Sequence, residues 1–125
     1  MIVVDTSVWI EFFRGRNPCF SRLRELLEDG EVLAAECVFG ELLQGAKGSD
    51  ETEIITAYWK NLPKFSLDGM FIQAGILSAR HKWLSRGIGL IDGSLIACAR
   101  ESSSGVWTLD KQLLSALREE ERYNV

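Results

Sequence analysis

Short apolar runs alternate with longer amphipathic segments along the chain. The apolar runs are rich in β-branched and aromatic residues, which is typical of strands that a parallel sheet buries on both faces. Predicted strands cover residues 2–4, 32–35 and 106–109, with brief further candidates at 64–67 and 123–125. Apolar positions spaced three and four residues apart predict helices over residues 8–13, 20–27, 36–46, 49–62, 70–84, 90–100 and 111–121. This alternation predicts an α/β sandwich around a mostly parallel central sheet.

The size and composition of the chain fit one globular domain. It has 125 residues, of which 46% are hydrophobic and 26% charged, and we expect a single domain spanning residues 1–125. No apolar run approaches the roughly 18 residues of a membrane span, so we expect neither a membrane segment nor a secretion signal. Cys19, Cys37 and Cys98 form no CxxC pair. This favours buried free thiols and a reducing, cytoplasmic location.

The formal net charge of −4 at pH 7 bears on whether the chain is expected to bind nucleic acid. A protein that binds nucleic acid by its surface alone usually carries a basic patch, because it must offset the charge of the phosphates. A metal-dependent nuclease is an exception, since its active site keeps several carboxylates that the metal ions offset. The acidic balance therefore disfavours a simple nucleic-acid-binding module more than such a nuclease.

Two acidic residues follow predicted strands directly. Asp5 ends the first strand, and Asp110 ends the strand that contains Trp107. Ligands of open parallel sheets bind outside the carboxyl ends of the strands, so both carboxylates are candidates for a functional site. The alternative for each is an N-cap of the helix that follows, because aspartate is among the best capping residues.

Two further carboxylates lie on apolar faces of predicted helices. Glu41 shares a face with Cys37 and Val38, so we expect it to lie away from the solvated side of its helix. Asp92 shares a stripe with Leu95 and its apolar neighbours, which indicates an inward position. The alternatives are a rim position for Glu41, with its carboxylate reaching water, and an N-cap for Asp92. A buried carboxylate is costly unless a cation or metal compensates its charge.

Converging carboxylates have a clear chemical use. Held close together, they raise one another's pKa and destabilise the metal-free site. Ligand sets made only of oxygen suit Mg²⁺ or Mn²⁺. One or two such ions, about 3.5–4 Å apart if paired, activate a water molecule and stabilise the leaving oxygen of a phosphodiester.

Four short motifs containing these carboxylates resemble the PIN-domain family, and within it the VapC-type toxins of bacterial and archaeal toxin–antitoxin pairs. The motifs are VVDTSVW at 3–9, ELLQG at 41–45, DGSLIA at 92–97 and WTLDK at 107–111. They occur in the family's order, and the similarity covers essentially the whole chain. The resemblance implies a three-layer α/β/α sandwich with a mostly parallel sheet, in which the first strand lies beside the strand containing Trp107.

The resemblance also implies an activity and its residues. It implies a Mg²⁺- or Mn²⁺-dependent endoribonuclease, usually a homodimer, which a small cognate antitoxin silences. Matching the motifs by position gives the acidic quartet Asp5, Glu41, Asp92 and Asp110. Asp5 and Asp92 are the firmest metal ligands, while Glu41 holds the metal or orients the attacking water. The supporting hydroxyls are Thr6, Ser7 and Thr108.

Two other functions compete with the nuclease. One is a catalytically silent PIN-like module that binds nucleic acid or protein, which loss of part of the quartet would favour. The other is an aspartate-dependent phosphohydrolase with Asp5 as nucleophile, which usually has a second acid two residues later, where this chain has Ser7. The aromatic residues Trp9, Phe12 and Phe13 favour core or dimer-interface packing over base stacking. His81, the one histidine, is interpreted as a solvated helix residue.

Overall fold

The computed structural model describes residues 1–66 and 68–125. Its strands are β1 (Ile2–Val4), β2 (Val32–Leu33) and β3 (Gly105–Trp107). Its α-helices are α1 (Thr6–Phe13), α2 (Cys19–Glu28), α3 (Glu36–Gln44), α4 (Ser49–Asn61), α5 (Met70–His81), α6 (Leu90–Glu101) and α7 (Lys111–Ala116). Short 3₁₀ turns lie at Leu84–Arg86 and Glu119–Glu121.

β1 lies at the centre of a parallel sheet, between β2 and β3. Val3 pairs with Leu33 on one side and with Val106 on the other. Successive strand residues face opposite sides of a sheet, yet Val3 and Val4 are only 0% and 2% exposed. Other elements therefore cover both faces, which confirms the predicted layered α/β sandwich with a parallel sheet.

Helices from both halves of the chain pack around this sheet. α6 packs against β1, β3 and α5, while α1 packs against α2 and α3. Trp9, Phe39 and Trp83 are among the largest fully buried side chains, and the rings of Trp9 and Phe39 meet edge to face at 5.3 Å. Trp9 and Phe12 are therefore core residues. Because β1 and β3 are parallel neighbours, their carboxyl ends lie side by side at one edge of the sheet.

The predicted helix over residues 70–84 is too long. α5 ends at His81, and Lys82 adopts the left-handed conformation with a φ of 55°. This turn sends Trp83 into the core, where it is fully buried. The burial of one large aromatic side chain therefore ends the helix before its amphipathic pattern does. His81 itself is exposed at the end of α5, as predicted.

The last helix is also shorter than the predicted segment 111–121. α7 ends at Ala116, and Leu117 continues in an extended conformation with its side chain buried. The chain that follows brings the Glu121 carboxylate to the guanidinium of Arg100, at 2.7 Å. A buried leucine and a partly buried ion pair thus replace the last turns of the expected helix.

The two brief strand candidates are reduced to single bridges. Lys64 forms one parallel bridge with Ala34, and Leu67, the last residue of that candidate, lies outside the described residues. Near the C-terminus, Arg122 forms a single bridge with Val106 in place of a strand at 123–125. The sheet is therefore restricted to β1, β2 and β3 within the described chain.

The cysteines agree with the expectation of free thiols. All of the cysteines are free thiols; Cys19 and Cys98 are buried, and Cys37 is half-buried. The longest helix of the described chain has 13 residues, and no helix there has the length and apolar composition needed to cross a bilayer.

Candidate active site

Asp5 stands at the carboxyl end of β1, and only 6% of it is exposed. It occupies the N-cap position of α1, but its side chain accepts no capping hydrogen bond from that helix. Its Oδ2 atom instead accepts hydrogen bonds from the hydroxyls of Ser7, at 2.9 Å, and Thr108, at 2.6 Å. Asp5 is therefore the N-cap of α1 by position, as the alternative states, but its carboxylate binds the Ser7 and Thr108 hydroxyls and not the backbone of the helix.

The same two hydroxyls hold the loop between β3 and α7. Thr108 Oγ1 accepts a hydrogen bond from the backbone N–H of Asp110 at 3.0 Å. Ser7 Oγ accepts one from the backbone N–H of Leu109 at 3.1 Å. Each hydroxyl thus donates to Asp5 and accepts from the loop. Ser7 and Thr108 therefore connect the end of β1 to the loop that carries Asp110.

Asp110 caps α7. Its Oδ1 atom accepts a hydrogen bond from the backbone N–H of Gln112 at 2.9 Å, so the N-cap alternative is correct for this residue. The pairing of β1 with β3 also places Asp110 at the same sheet edge as Asp5, as predicted. The capping bond engages one carboxylate oxygen, so a structural role and a role in the site are compatible.

Asp92 lies in the first turn of α6, which begins at Leu90 with Gly89 as its N-cap. The alternative of Asp92 as the N-cap is therefore wrong. The side chain is half-buried, and Leu95 and Ile96 on the same stripe are buried. α6 packs against β1 and β3, so this first turn lies beside the core strands, as the predicted inward stripe requires.

The electrostatics of Asp92 show that the carboxylates share one region. Burial, followed by the negative charges of Asp5, Asp110 and Glu41, raises the pKa of Asp92 from 3.8 to about 6. Like charges exert such an effect only at short range, because water and salt screen distant ones. The fold therefore places acidic residues from three other motifs of the sequence within electrostatic range of Asp92.

Glu41 occupies a different position from the predicted one. Its side chain is exposed, so the prediction that it leaves the solvated side of α3 is wrong, and the rim alternative is correct. Glu41 Oε1 accepts a hydrogen bond from the Thr6 hydroxyl at 3.0 Å. A long side chain lets the carboxylate stay in water while its stem covers apolar surface. Thr6 therefore fixes Glu41 at the edge of the site.

The carboxylates do not form a ready-made metal cage. Within residues 1–66 and 68–125, no three histidine, cysteine or acidic side chains converge closely enough to hold an ion as they stand. The donors nevertheless fit Mg²⁺ or Mn²⁺, since all are carboxylate oxygens that repel one another at Asp92. Their role as ligands therefore stays a prediction, and binding would require side-chain rotation toward the ion.

The raised pKa of Asp92 predicts a pH-dependent effect on stability. The folded state holds the proton of Asp92 more tightly than the unfolded state, so this residue lowers stability as the pH rises from about 4 to about 6. In metal-free protein, Asp92→Asn is expected to increase stability at pH 8 by about 1 kcal/mol. Solvent screening of a half-buried group and the loss of a favourable charge at a helix N-terminus keep the gain small.

Thermal unfolding in EDTA at pH 8 and near pH 4 checks this expectation. The melting temperature of the variant should exceed that of the wild type at pH 8, and the two should converge near pH 4. Asp29→Asn, which removes a charge from the exposed end of α2, is the matched control and should show no such pH dependence. Equal melting temperatures of Asp92→Asn and wild type at pH 8 would contradict the electrostatic description of the site.

A pocket of about 300 Å³ opens beside Glu41. It lies between α1, the end of α3 and α4, and Thr6 and Glu41 form part of its wall. Sequence reasoning missed it. Ile10 and Ile54, which line it, look like ordinary core residues in the helical pattern, and only the packing of α4 beside α1 leaves them facing an open space.

Comparison with known proteins gives consistent matches over nearly the whole chain. The sequence model of the PIN domain matches residues 2–119. A protein named Ribonuclease VapC32 from Mycobacterium tuberculosis is 33% identical over 120 residues, which cover 95% of this chain and 92% of that protein.

Two solved structures share the fold. The crystal structure of Mycobacterium tuberculosis VapC20, described as a Sarcin-Ricin loop cleaving toxin, aligns with a TM-score of 0.72 and 21% identity, over 98% of this chain and 100% of that one. FitAcB from Neisseria gonorrhoeae aligns with a TM-score of 0.63 and 22% identity, over 93% and 92% of the two chains. At these identities the two structures support the fold alone.

Proposed function

The chain belongs to the PIN-domain family, and from that premise we propose that it is a metal-dependent endoribonuclease that hydrolyses RNA phosphodiester bonds. The observation that carries the proposal is the position of Asp5 and Asp110 just after neighbouring parallel strands, with Asp92 and Glu41 on adjacent helices and within electrostatic range of them. A structural role accounts for the cap formed by Asp110 but does not explain why the half-buried Asp92 lies within electrostatic range of three other carboxylates.

The biological setting follows from the relatives. The curated relative is named a ribonuclease, and one structural neighbour is described as a Sarcin-Ricin loop cleaving toxin. We propose that this chain is the toxin of a toxin–antitoxin pair, that a small cognate antitoxin protein silences it, and that it acts on RNA in the cytoplasm.

The residues divide into ligands and supports. Asp5 and Asp92 would hold the ion most firmly, and Asp110 and Glu41 would complete an oxygen-only set for Mg²⁺ or Mn²⁺. When bound, the ion supplies a Lewis acid that activates water and offsets charge on the leaving oxygen. The hydroxyls of Ser7 and Thr108 hold the Asp5 carboxylate in position.

Glu41 has a second role at the rim. Its hydrogen bond from Thr6 fixes one carboxylate oxygen, and its exposure keeps the other in contact with solvent. From this position Glu41 orients the attacking water or accepts its proton. The competing phosphohydrolase usually has a second acid two residues after its nucleophile, at position 7 of this chain. Ser7 donates its hydroxyl proton to Asp5 and is no acid, so it supports the nuclease instead.

Cleavage of RNA tests the proposal directly. The wild type is incubated with total cellular RNA, in Mn²⁺ and in EDTA, and new 5′ ends are mapped by sequencing. We expect cleavage at a small set of sites in Mn²⁺ and none in EDTA, because the carboxylates alone do not offset the charge of the transition state. Equal cleavage in EDTA would contradict a metal-dependent mechanism and point to a contaminating nuclease.

We also propose that the chain forms a homodimer through the outer face of α5. Ile72 and Leu84 are 70% and 79% exposed, and Gly75, Leu84 and Leu90 border one shallow pocket. Soluble monomers rarely expose so many large apolar side chains together. A second copy of the chain, presenting the same face, would cover them.

Charge on this face should separate the dimer. The double variant Ile72→Glu/Leu84→Glu is expected to weaken self-association at least about a hundredfold, since each buried unpaired carboxylate costs several kcal/mol. Sedimentation velocity measures the change. Ala57→Glu adds a charge on the exposed side of α4 and should leave the dimer intact. A wild type that sediments as a monomer at micromolar concentration would contradict the proposal.

A further inference from the structure

The pocket beside Glu41 has an apolar wall with one aromatic ring. Ile10 and Phe13 of α1 face Ile54 of α4 across it. Phe13 is only partly buried and stacks on Trp9 with an interplanar angle of 23° and ring centroids 5.6 Å apart. A flat aromatic group in the pocket would therefore contact the ring of Phe13, which already packs against the ring of Trp9.

Two cations lie on the same pocket. Arg14 and Lys47 both line it, and no carboxylate of the described residues lies within salt-bridge distance of either side chain. Glu51 also lines the pocket and keeps its negative charge, and its Oε2 atom accepts a hydrogen bond from the backbone N–H of Lys47 at 2.6 Å, without an ion pair to either cation. The two side-chain cations therefore remain available for an anionic ligand.

The pocket is continuous with the acidic site. Thr6 and Glu41 line it, and their hydrogen bond of 3.0 Å forms the boundary between the two. Glu41 also acts electrostatically on Asp92. A ligand that spans this boundary would place one part against the carboxylates and the next part against the apolar wall and the cations.

We propose that this pocket binds one nucleoside of the RNA substrate, adjacent to the phosphodiester that is cut. The inference rests on the proposed ribonuclease function and names the subsite that positions the strand. The base lies against Phe13 and the isoleucines, and Arg14 and Lys47 contact the flanking phosphates. A volume of about 300 Å³ suits a single small ligand. A helix of a protein partner needs a longer groove with several successive anchors.

Kinetics of pocket variants test the subsite. Ile54→Glu places a negative charge on an exposed part of the pocket wall, away from the core. With an RNA that the wild type cuts, in saturating Mn²⁺, it is expected to raise KM at least about fivefold with little change in kcat. The base loses its apolar contact equally in the ground and transition states. Ala57→Glu, on the same helix and outside the pocket, is the control and should match the wild type.

The salt dependence of binding tests the cations. Lys47→Ala should lower the slope of log affinity against log salt by about one, because one phosphate contact is lost. The control Lys60→Ala, on the exposed end of α4, should keep the wild-type slope. The probe is a short fluorescein-labelled single-stranded RNA, with fluorescence anisotropy measured in EDTA so that no cleavage occurs.

The outcomes separate this subsite from the proposed function. A wild type that cuts RNA, together with Ile54→Glu at wild-type KM and Lys47→Ala at wild-type slope, would overturn the subsite and leave the ribonuclease in place. The pocket would then be interpreted as a binding site for a protein partner. A wild type that cuts no RNA would refute the ribonuclease, and the subsite with it.

Discussion

An Asp5→Asn variant is expected to lose RNA cleavage by about a thousandfold while it keeps the wild-type fold. The change removes the charge of a residue proposed to hold the metal ion most firmly, and metal stabilisation of the transition state is worth several kcal/mol. Asparagine has nearly the same volume, and its side-chain oxygen still accepts the hydrogen bonds of Ser7 and Thr108. Initial rates on an RNA that the wild type cuts, with circular dichroism for the fold, measure the effect.

The matched control is Asp29→Asn. It removes the same charge from the exposed end of α2, and it should cleave at the wild-type rate. If Asp5→Asn also cleaved at the wild-type rate, the assignment of Asp5 as a ligand would be refuted. A variant that lost both cleavage and its circular dichroism signal would instead show that Asp5 is required for folding. Thr108→Val removes one of the two hydroxyls that bind Asp5 and keeps the Asp5 carboxylate. A folded Thr108→Val variant with reduced cleavage would then show that the position of Asp5 matters for activity apart from its effect on stability.

Mn²⁺ is expected to stabilise the wild type against heat and to leave Asp92→Asn almost unchanged. An ion at 100 times its dissociation constant stabilises the native state by about 2.7 kcal/mol, which corresponds to a rise of roughly 10 °C for a chain of this size. Part of the gain comes from relief of the repulsion that raises the pKa of Asp92. Differential scanning fluorimetry across a Mn²⁺ titration measures the shift.

This experiment needs no knowledge of the RNA substrate. Ca²⁺ and NaCl at matched ionic strength show whether the shift is specific or a general screening effect. Asp29→Asn should respond as the wild type does. If the wild type also failed to respond at millimolar Mn²⁺, the acidic cluster would be a set of caps and rim charges. The catalytically silent binding module would then replace the nuclease as the best-supported function.

The positions of the three sheet strands and of the site motifs were predictable because their signals are local, whereas the two brief strand candidates were not formed as strands. Ile2–Val4 forms β1 as predicted, since three consecutive β-branched residues suit a strand buried on both faces. Three of the acidic residues lie where a helix begins. Asp5 and Asp110 occupy the N-cap positions of α1 and α7, and Asp92 lies in the first turn of α6. The spacing of apolar residues marks where strands and helices begin and end, so such positions can be predicted from the sequence.

Helix ends and side-chain exposure were less predictable because they depend on distant partners. The amphipathic pattern continues past His81, yet α5 stops there because Trp83 fits the core only if the chain turns. Glu41 has small and apolar neighbours along α3 and was predicted to be buried. It is exposed, with Thr6 of α1 holding its carboxylate at the rim, and the pattern of a single helix gives no information about what packs against it.

The sequence by itself determined the order of strands and helices, the parallel α/β fold and the identity of the acidic residues. These depend on short-range preferences and on motifs that occur in the family's order. Only the tertiary structure decided which hydroxyl meets which carboxylate, that the side chain of Asp110 caps its helix while that of Asp5 does not, and that a pocket opens beside Glu41. Those features arise where segments far apart in the chain pack together, and contact energies between such segments leave no periodic signal in the sequence.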